Sequence, residues 1–128
     1  MSRLLSDLDP DFLPQAAMFL AYLAEAGIPI LIVTTGRTEA EQADAVARRV
    51  SWTMKSKHLP QPPYGKSKAL DVVPFETFQL NGVDKLQWDA SDPIWLKIRD
   101  SALRAGLKWG VIINGVQKDP GHVEMKID

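Results

Sequence analysis

The sequence predicts an α+β fold, a small antiparallel sheet with helices packed on one side. Three observations lead there. Apolar residues recur at helical spacing near the front of the chain, at Phe12, Ala16, Phe19, Leu20 and Leu23. Behind them come short strand-like runs, with Asn-Gly pairs at Asn81-Gly82 and Asn114-Gly115 as hairpin-turn signals. There are no repeats, low-complexity tracts or long linkers. The 128 residues are therefore expected to form one domain, 1–128, long enough to bury a core without staples.

The first helix has its start signal in Asp9-Pro10-Asp11, an acid before proline and another where the helix dipole favours it. Gly27 and Pro29 end it. Ile30 to Thr35, ILIVTT, is continuous and rich in β-branched residues, and reads as a buried strand ended by Gly36. Thr38 and Glu41 have capping-box spacing for a second helix reaching roughly Val50. KALDVV reads as a strand with Ala69, Asp71 and Val73 on one face, and Pro74 marks its end or a sheet edge. FQLNGVDKLQW is expected to fold as a hairpin. Ser91-Asp92-Pro93 opens a third helix, with Trp95, Ile98, Ala102 and Ala105 on one side and Gly106 closing it. LKWGVII and VQK flank the second Asn-Gly turn, and HVEMKI is the last strand.

Composition narrows the function. Fifteen basic residues against sixteen acidic ones leave a net charge of −1, which points to neither a nucleic-acid partner nor a polybasic membrane surface. The apolar run Ala16 to Ala24 is shorter than the roughly 20 residues a bilayer span needs. More acid than base precedes it, the wrong polarity for a signal peptide. Synthesis in the cytoplasm without membrane insertion is the expectation, and a substrate beyond the inner membrane would require release. The chain has no cysteine, so any metal must be held by histidine and carboxylate.

Both histidines lie near carboxylates. His58 falls in SKHLPQPPYGKSKALD, which ends on Asp71, and His122 falls in DPGHVEM. Two imidazoles and a carboxylate are a catalytic zinc set that leaves one position open for water. The water's proton needs a base. Asp119-Pro120-Gly121-His122 has the form of a type II turn, which would hold Asp119 beside His122. Glu124 competes, because in a strand it shares a face with His122. Spacing does not separate the two. Arg37 stands at a strand-to-helix junction, where functional side chains are often presented, although spacing alone reads it as a surface arginine. Lys55, Lys57, Lys66 and Lys68 form a solvated face or a weak field for carboxylate-bearing substrates.

Arg37 and Gln42 in GRTEAEQ, Ser56 and His58 in SKH, Ala69 and Asp71 in KALDVVP, Trp109-Gly110, and Asp119 with His122 in DPGHVE occur in that order. This ordered set resembles the D-alanyl-D-alanine carboxypeptidase and L-alanyl-D-glutamate endopeptidase family of zinc peptidases, which includes many phage endolysins. The resemblance covers most of the chain and implies a hedgehog/D-Ala-D-Ala-peptidase-like fold. It implies Zn2+ held by His58, Asp71 and His122, and Asp119 rather than Glu124 as the base. It further implies Arg37 as the group that contacts substrate and steadies the oxyanion, with Gln42 buttressing it, and Ser56 as a residue that binds substrate or supports the adjacent ligand.

The expected activity is hydrolysis of an amide bond in peptidoglycan stem peptides by a monomer, first at L-Ala–D-Glu, in the manner of an endolysin. D-Ala-D-Ala carboxypeptidase action, or a non-catalytic zinc-containing wall-binding module, is the alternative. Two departures from the family stand out. His58 and Asp71 are thirteen residues apart, more than is usual, with the surplus around LPQPPYG. A longer loop is entropically cheap, and its three prolines stiffen it into an expected rim of the pocket. Asp replaces the more usual Glu at 119, so the turn must bring its backbone closer to the metal.

Overall fold

The computed structural model describes residues 1–49, 51, 53–75 and 86–126. After a short 3-10 turn at Leu5–Asp7 come α1 (Leu13–Glu25), β1 (Ile30–Thr34), α2 (Glu39–Ala47), β2 (Ala69–Pro74) and α3 (Ile94–Arg104). They are followed by β3 (Leu107–Trp109), β4 (Ile112–Ile113), β5 (Val116–Gln117) and β6 (His122–Met125). Four strands make one antiparallel sheet in the order β1-β2-β6-β3, and β4 and β5 form a separate hairpin. The α+β expectation holds.

Asp9 opens the α1 region. Its Oδ1 accepts from the Asp11 amide at 2.7 Å, and its carbonyl accepts from Phe12 and Leu13, both at 2.9 Å. The acid thus closes a lead-in turn, and the regular helix begins only at Leu13. At the other end Gly27 has φ +71°, with Gly27 N–H bonded to Ala24 O and Ile28 N–H to Leu23 O. That pair of bonds is a Schellman stop. Both capping-box bonds at α2 are present, Glu41 N–H to Thr38 Oγ1 at 3.1 Å and Thr38 N–H to Glu41 Oε1 at 2.9 Å. The helix ends at Ala47, short of the expected Val50, and Arg49 turns the chain with φ +59°. At α3, Asp92 Oδ1 accepts from Ile94 N–H at 2.9 Å. Asn114 and Gly115, at φ +52° and +76°, make the expected type I′ turn between β4 and β5. The hairpin expected at Asn81-Gly82 lies outside the described residues.

One strand differs from expectation. The ILIVTT run is not buried throughout. It stands at the sheet edge, and Leu31 is 44% exposed. Ile32 pairs with Val72 and Thr34 with Asp71, which leaves Val33 as an extra residue in a bulge. Pro74 closes β2 even though that strand lies inside the sheet, as a missing amide is tolerated at a strand end.

The two faces of the sheet have different duties. Leu70, Val72, Val123 and Leu107 join Phe12, Phe19, Leu23, Trp95 and Ile98 in the core beneath α1 and α3. Burial of each large apolar side chain contributes on the order of 1.5–3 kcal/mol. In the β2–β6 register Leu70 lies opposite Val123, Asp71 opposite His122, and Ala69 opposite Glu124. Alternation therefore puts Asp71, His122 and Glu124 together on the face away from that core.

The turn into β6 corrects another expectation. Gly121 does not adopt positive φ, so Asp119–His122 is not a type II turn, although His122 N–H bonds Asp119 O at 3.2 Å. Glycine is needed there for close approach. A Cβ on Gly121 would lie 2.2 Å from the Val72 carbonyl, and Gly121 O accepts from Val72 N–H at 3.0 Å. Gly121→Ala is expected to destabilise the fold by about 1–3 kcal/mol through overpacking against backbone, read as a lower denaturation midpoint.

Candidate metal centre

Each of the three metal-ligating side chains expected from the sequence comes from a different segment. His58 sits in a turn, 2% exposed, with its amide donated to Ser56 Oγ at 3.2 Å and its carbonyl accepting from Arg37 N–H at 2.9 Å. Its Nδ1 lies 2.7 Å from the Thr35 carbonyl. A carbonyl only accepts, so Nδ1 carries the hydrogen and Nε2 presents its lone pair. That Nε2 is 3.0 Å from Asp71 Oδ2, but with no hydrogen on either atom it remains a buried nitrogen without a bonded partner.

Asp71 on β2 reaches His58 with one oxygen and His122 Nδ1 with the other, at 2.9 Å. His122 Nε2 lies 3.0 Å from Glu124 Oε1, and Glu124 Oε2 lies 2.6 Å from Lys57 Nζ. The two imidazole rings meet edge to face, with centroids 5.2 Å apart.

This donor set favours positive charge at its centre. Burial alone would lower the His122 pKa, but hydrogen bonds to Asp71 and Glu124 outweigh it and push the value up to about 10. Burial would raise Asp71, but its attraction to His58 and the hydrogen bond from His122 hold it well below the usual carboxylate range. Glu124 likewise resists burial and is drawn down to about 2 by its bonds to His122 and Lys57.

The geometry also fits a metal ion. One donor atom from each of His58, Asp71 and His122 lies within 4.8 Å of the other two. Zinc–nitrogen and zinc–oxygen bonds of about 2.0–2.2 Å imply edges of about 3.3 Å in a tetrahedral site. The orphaned His58 nitrogen supplies the lone pair such a site requires.

Asp119 lines the same cleft, which has a volume of ≈ 380 Å³. Burial, then repulsion from Asp71, raises its pKa to about 6 against the opposing pull of His122, His58 and Arg37. Arg37 is half-buried, with Nη1 held by Gln42 Oε1 at 3.1 Å. Gln42 is itself fully buried and anchored to Ser51 Oγ and Thr53 O, the buttressing that the resemblance implied. Ser56 lines the cleft and caps the His58 amide.

The Pro-rich insert does not rim this cleft. Gln61 N–H bonds Lys66 O and Gly65 N–H bonds Gln61 O, folding the surplus residues back on themselves. Lys68 N–H to Lys57 O at 2.8 Å then draws the two ends together. That closure lets His58 and Asp71 meet across thirteen residues.

Sequence reasoning missed three groups that support the centre. Thr35 offers only its carbonyl, and no side-chain pattern announces that. Ser67, 2% exposed, has Oγ 2.6 Å from the same carbonyl. Lys57 fixes Glu124, which thereby orients His122 rather than standing free as a base. Its signal was the i, i+2 spacing of His122 and Glu124 on one strand face. Glu124→Gln is expected to weaken metal binding about 10–100-fold with the fold retained, measured by competition with a chromogenic chelator.

No family model matches the sequence, and no curated protein matches it either. Structure finds a relative. The chain is similar to an L-Ala D-Glu endopeptidase. The match is to the crystal structure of ChiX from Serratia marcescens, at 26% identity and a TM-score of 0.62, covering 95% of this chain and 83% of ChiX. Among the described residues no helix is long and apolar enough to cross a membrane.

Proposed function

We propose that this chain is a single-domain, zinc-dependent peptidase that hydrolyses the L-Ala–D-Glu amide of peptidoglycan stem peptides. The observation that carries the reading is the convergence of His58, Asp71 and His122 in one cleft with Asp119 and Arg37. The likeness to an L-Ala D-Glu endopeptidase supports the choice of bond. Aspartate at 119, a departure from the usual Glu that resembles part of the endolysin branch, supports that setting, with action on the wall after release.

His58 Nε2, an Asp71 oxygen and His122 Nδ1 would hold the ion. Zinc at such a position lowers the pKa of its water to about 7 and polarises a carbonyl. Asp119 takes the water's proton on its carboxylate and returns it to the departing amine. Burial and the neighbouring Asp71 favour the protonated form of Asp119, and a nearby divalent cation would oppose them and favour the carboxylate that accepts the proton. Arg37, fixed by Gln42, donates to the oxyanion as charge develops on the carbonyl oxygen. Ser56 steadies His58 and offers its hydroxyl to bound peptide.

Digestion of purified peptidoglycan with mass analysis of the products tests the reading. Fragments ending at L-Ala, with new D-Glu amino termini, support it. Loss of a terminal D-Ala alone would reassign the enzyme as a carboxypeptidase. Zinc binding without any cleavage would leave a wall-binding module.

A further inference from the structure

The cleft around the centre carries more cationic groups than its own chemistry uses. Arg37, Lys55, Lys57 and Lys108 line it against three acids, Asp71, Asp119 and Glu124. Two of the four cations are engaged, Arg37 by Gln42 and Lys57 by Glu124. Lys55 and Lys108 are exposed and have no carboxylate partner among the described residues.

The placement of Lys108 is fixed by the sheet. It pairs with Glu124 in the β3–β6 register, so its side chain leaves from the same face as the centre. Because Lys57 already neutralises Glu124, that acid does not absorb the Lys108 charge. A bound divalent ion would add two further positive charges. Low-dielectric walls focus such a field on the cleft's contents.

On the far side of Asp119 the surface changes character. A second groove of ≈ 470 Å³ shares Arg37, Asp71 and Asp119 with the first, and is walled by Ala90, Trp95 and Pro120. Trp88 lines it with 61% of its surface exposed. The two grooves thus share the reacting position; the first is lined by four cations, and the second, though Arg37 and Lys118 also line it, is walled mainly by apolar side chains.

We propose that Lys55 and Lys108 form an anion subsite for the free carboxylate of the residue that contributes the scissile nitrogen, and so set the direction in which substrate lies. The inference rests on the proposed function. At an L-Ala–D-Glu bond the residue on the amine side bears an unlinked α-carboxylate next to the scissile nitrogen. The acyl side, with no charge at the bond, lies along the Trp88 groove. Among the described residues, two lysines without a carboxylate partner in the first cleft, Lys55 and Lys108, against one in the second, Lys118, favour that orientation for the peptide.

The test uses the zinc-loaded full chain and two stem peptides that differ only at that α-carboxyl group, free in one and a primary amide in the other. The wild type is expected to favour the free acid roughly tenfold in kcat/KM, the scale of one charge-assisted hydrogen bond, with the difference in KM. Rising salt should erode the preference. In the Lys55→Met/Lys108→Met double variant the ratio should fall to near one. Equal rates on both peptides by the wild type would overturn the subsite while leaving the peptidase reading intact. So would a double variant that keeps the preference. Cleavage of neither peptide would overturn the peptidase reading and the subsite together.

Discussion

Asp119→Ala is expected to keep its metal and lose its turnover. Removal of a positioned general base costs about 10²- to 10⁴-fold in rate. The loss should fall on kcat, because the base acts on the attacking water and leaving amine rather than on peptide binding. Metal content measured on purified protein should be unchanged, since His58, Asp71 and His122 form the donor set without Asp119. An Asp119→Ala protein with normal kcat would sink the assignment. It would also require Glu124 to act as the base, although that side chain is already committed to His122 and Lys57.

His58→Ala is expected to lose metal and activity together. Two donors are too few for a closed zinc site, and the Thr35 carbonyl loses the imidazole N–H that approaches to 2.7 Å. Exhaustive chelation of the wild type should abolish activity in the same way and should be reversed by zinc. It should also lower thermal stability, because an ion that binds only the folded chain adds about 2.7 kcal/mol when free metal stands at 100 times its Kd. Full activity after chelation would end the metal mechanism.

Local chemistry accounts for what could be read in advance. The Thr38–Glu41 box, the Asn114-Gly115 turn and the apolar stripes of α1 and α3 are each set by residues within a few positions of one another, and they stand where expected. The pairing of His122 with Asp71 was foreseeable as a residue set but not as a geometry, because it depends on strand register across fifty-one positions. β1 misled because a β-branched run looks alike in the middle of a sheet and at its edge. Gly121 misled because glycine serves both positive φ and close approach, and only the Val72 carbonyl distinguishes them. Backbone groups such as Thr35 O leave no trace in a side-chain pattern. Lys57 could not be matched to Glu124 before the loop carrying it was placed.

The β2–β6 register has one more consequence, for folding fidelity. Side chains on a strand alternate with period two, so a slip of a single residue exchanges the faces of the whole strand. Here a slipped β6 would turn Val123 outward and drive His122 and Glu124 into the apolar layer beneath α1 and α3. It would also pull the imidazole away from Asp71. The pairing that seals the core is thus the pairing that brings the three candidate donors together, so a misthreaded chain would lose both at once.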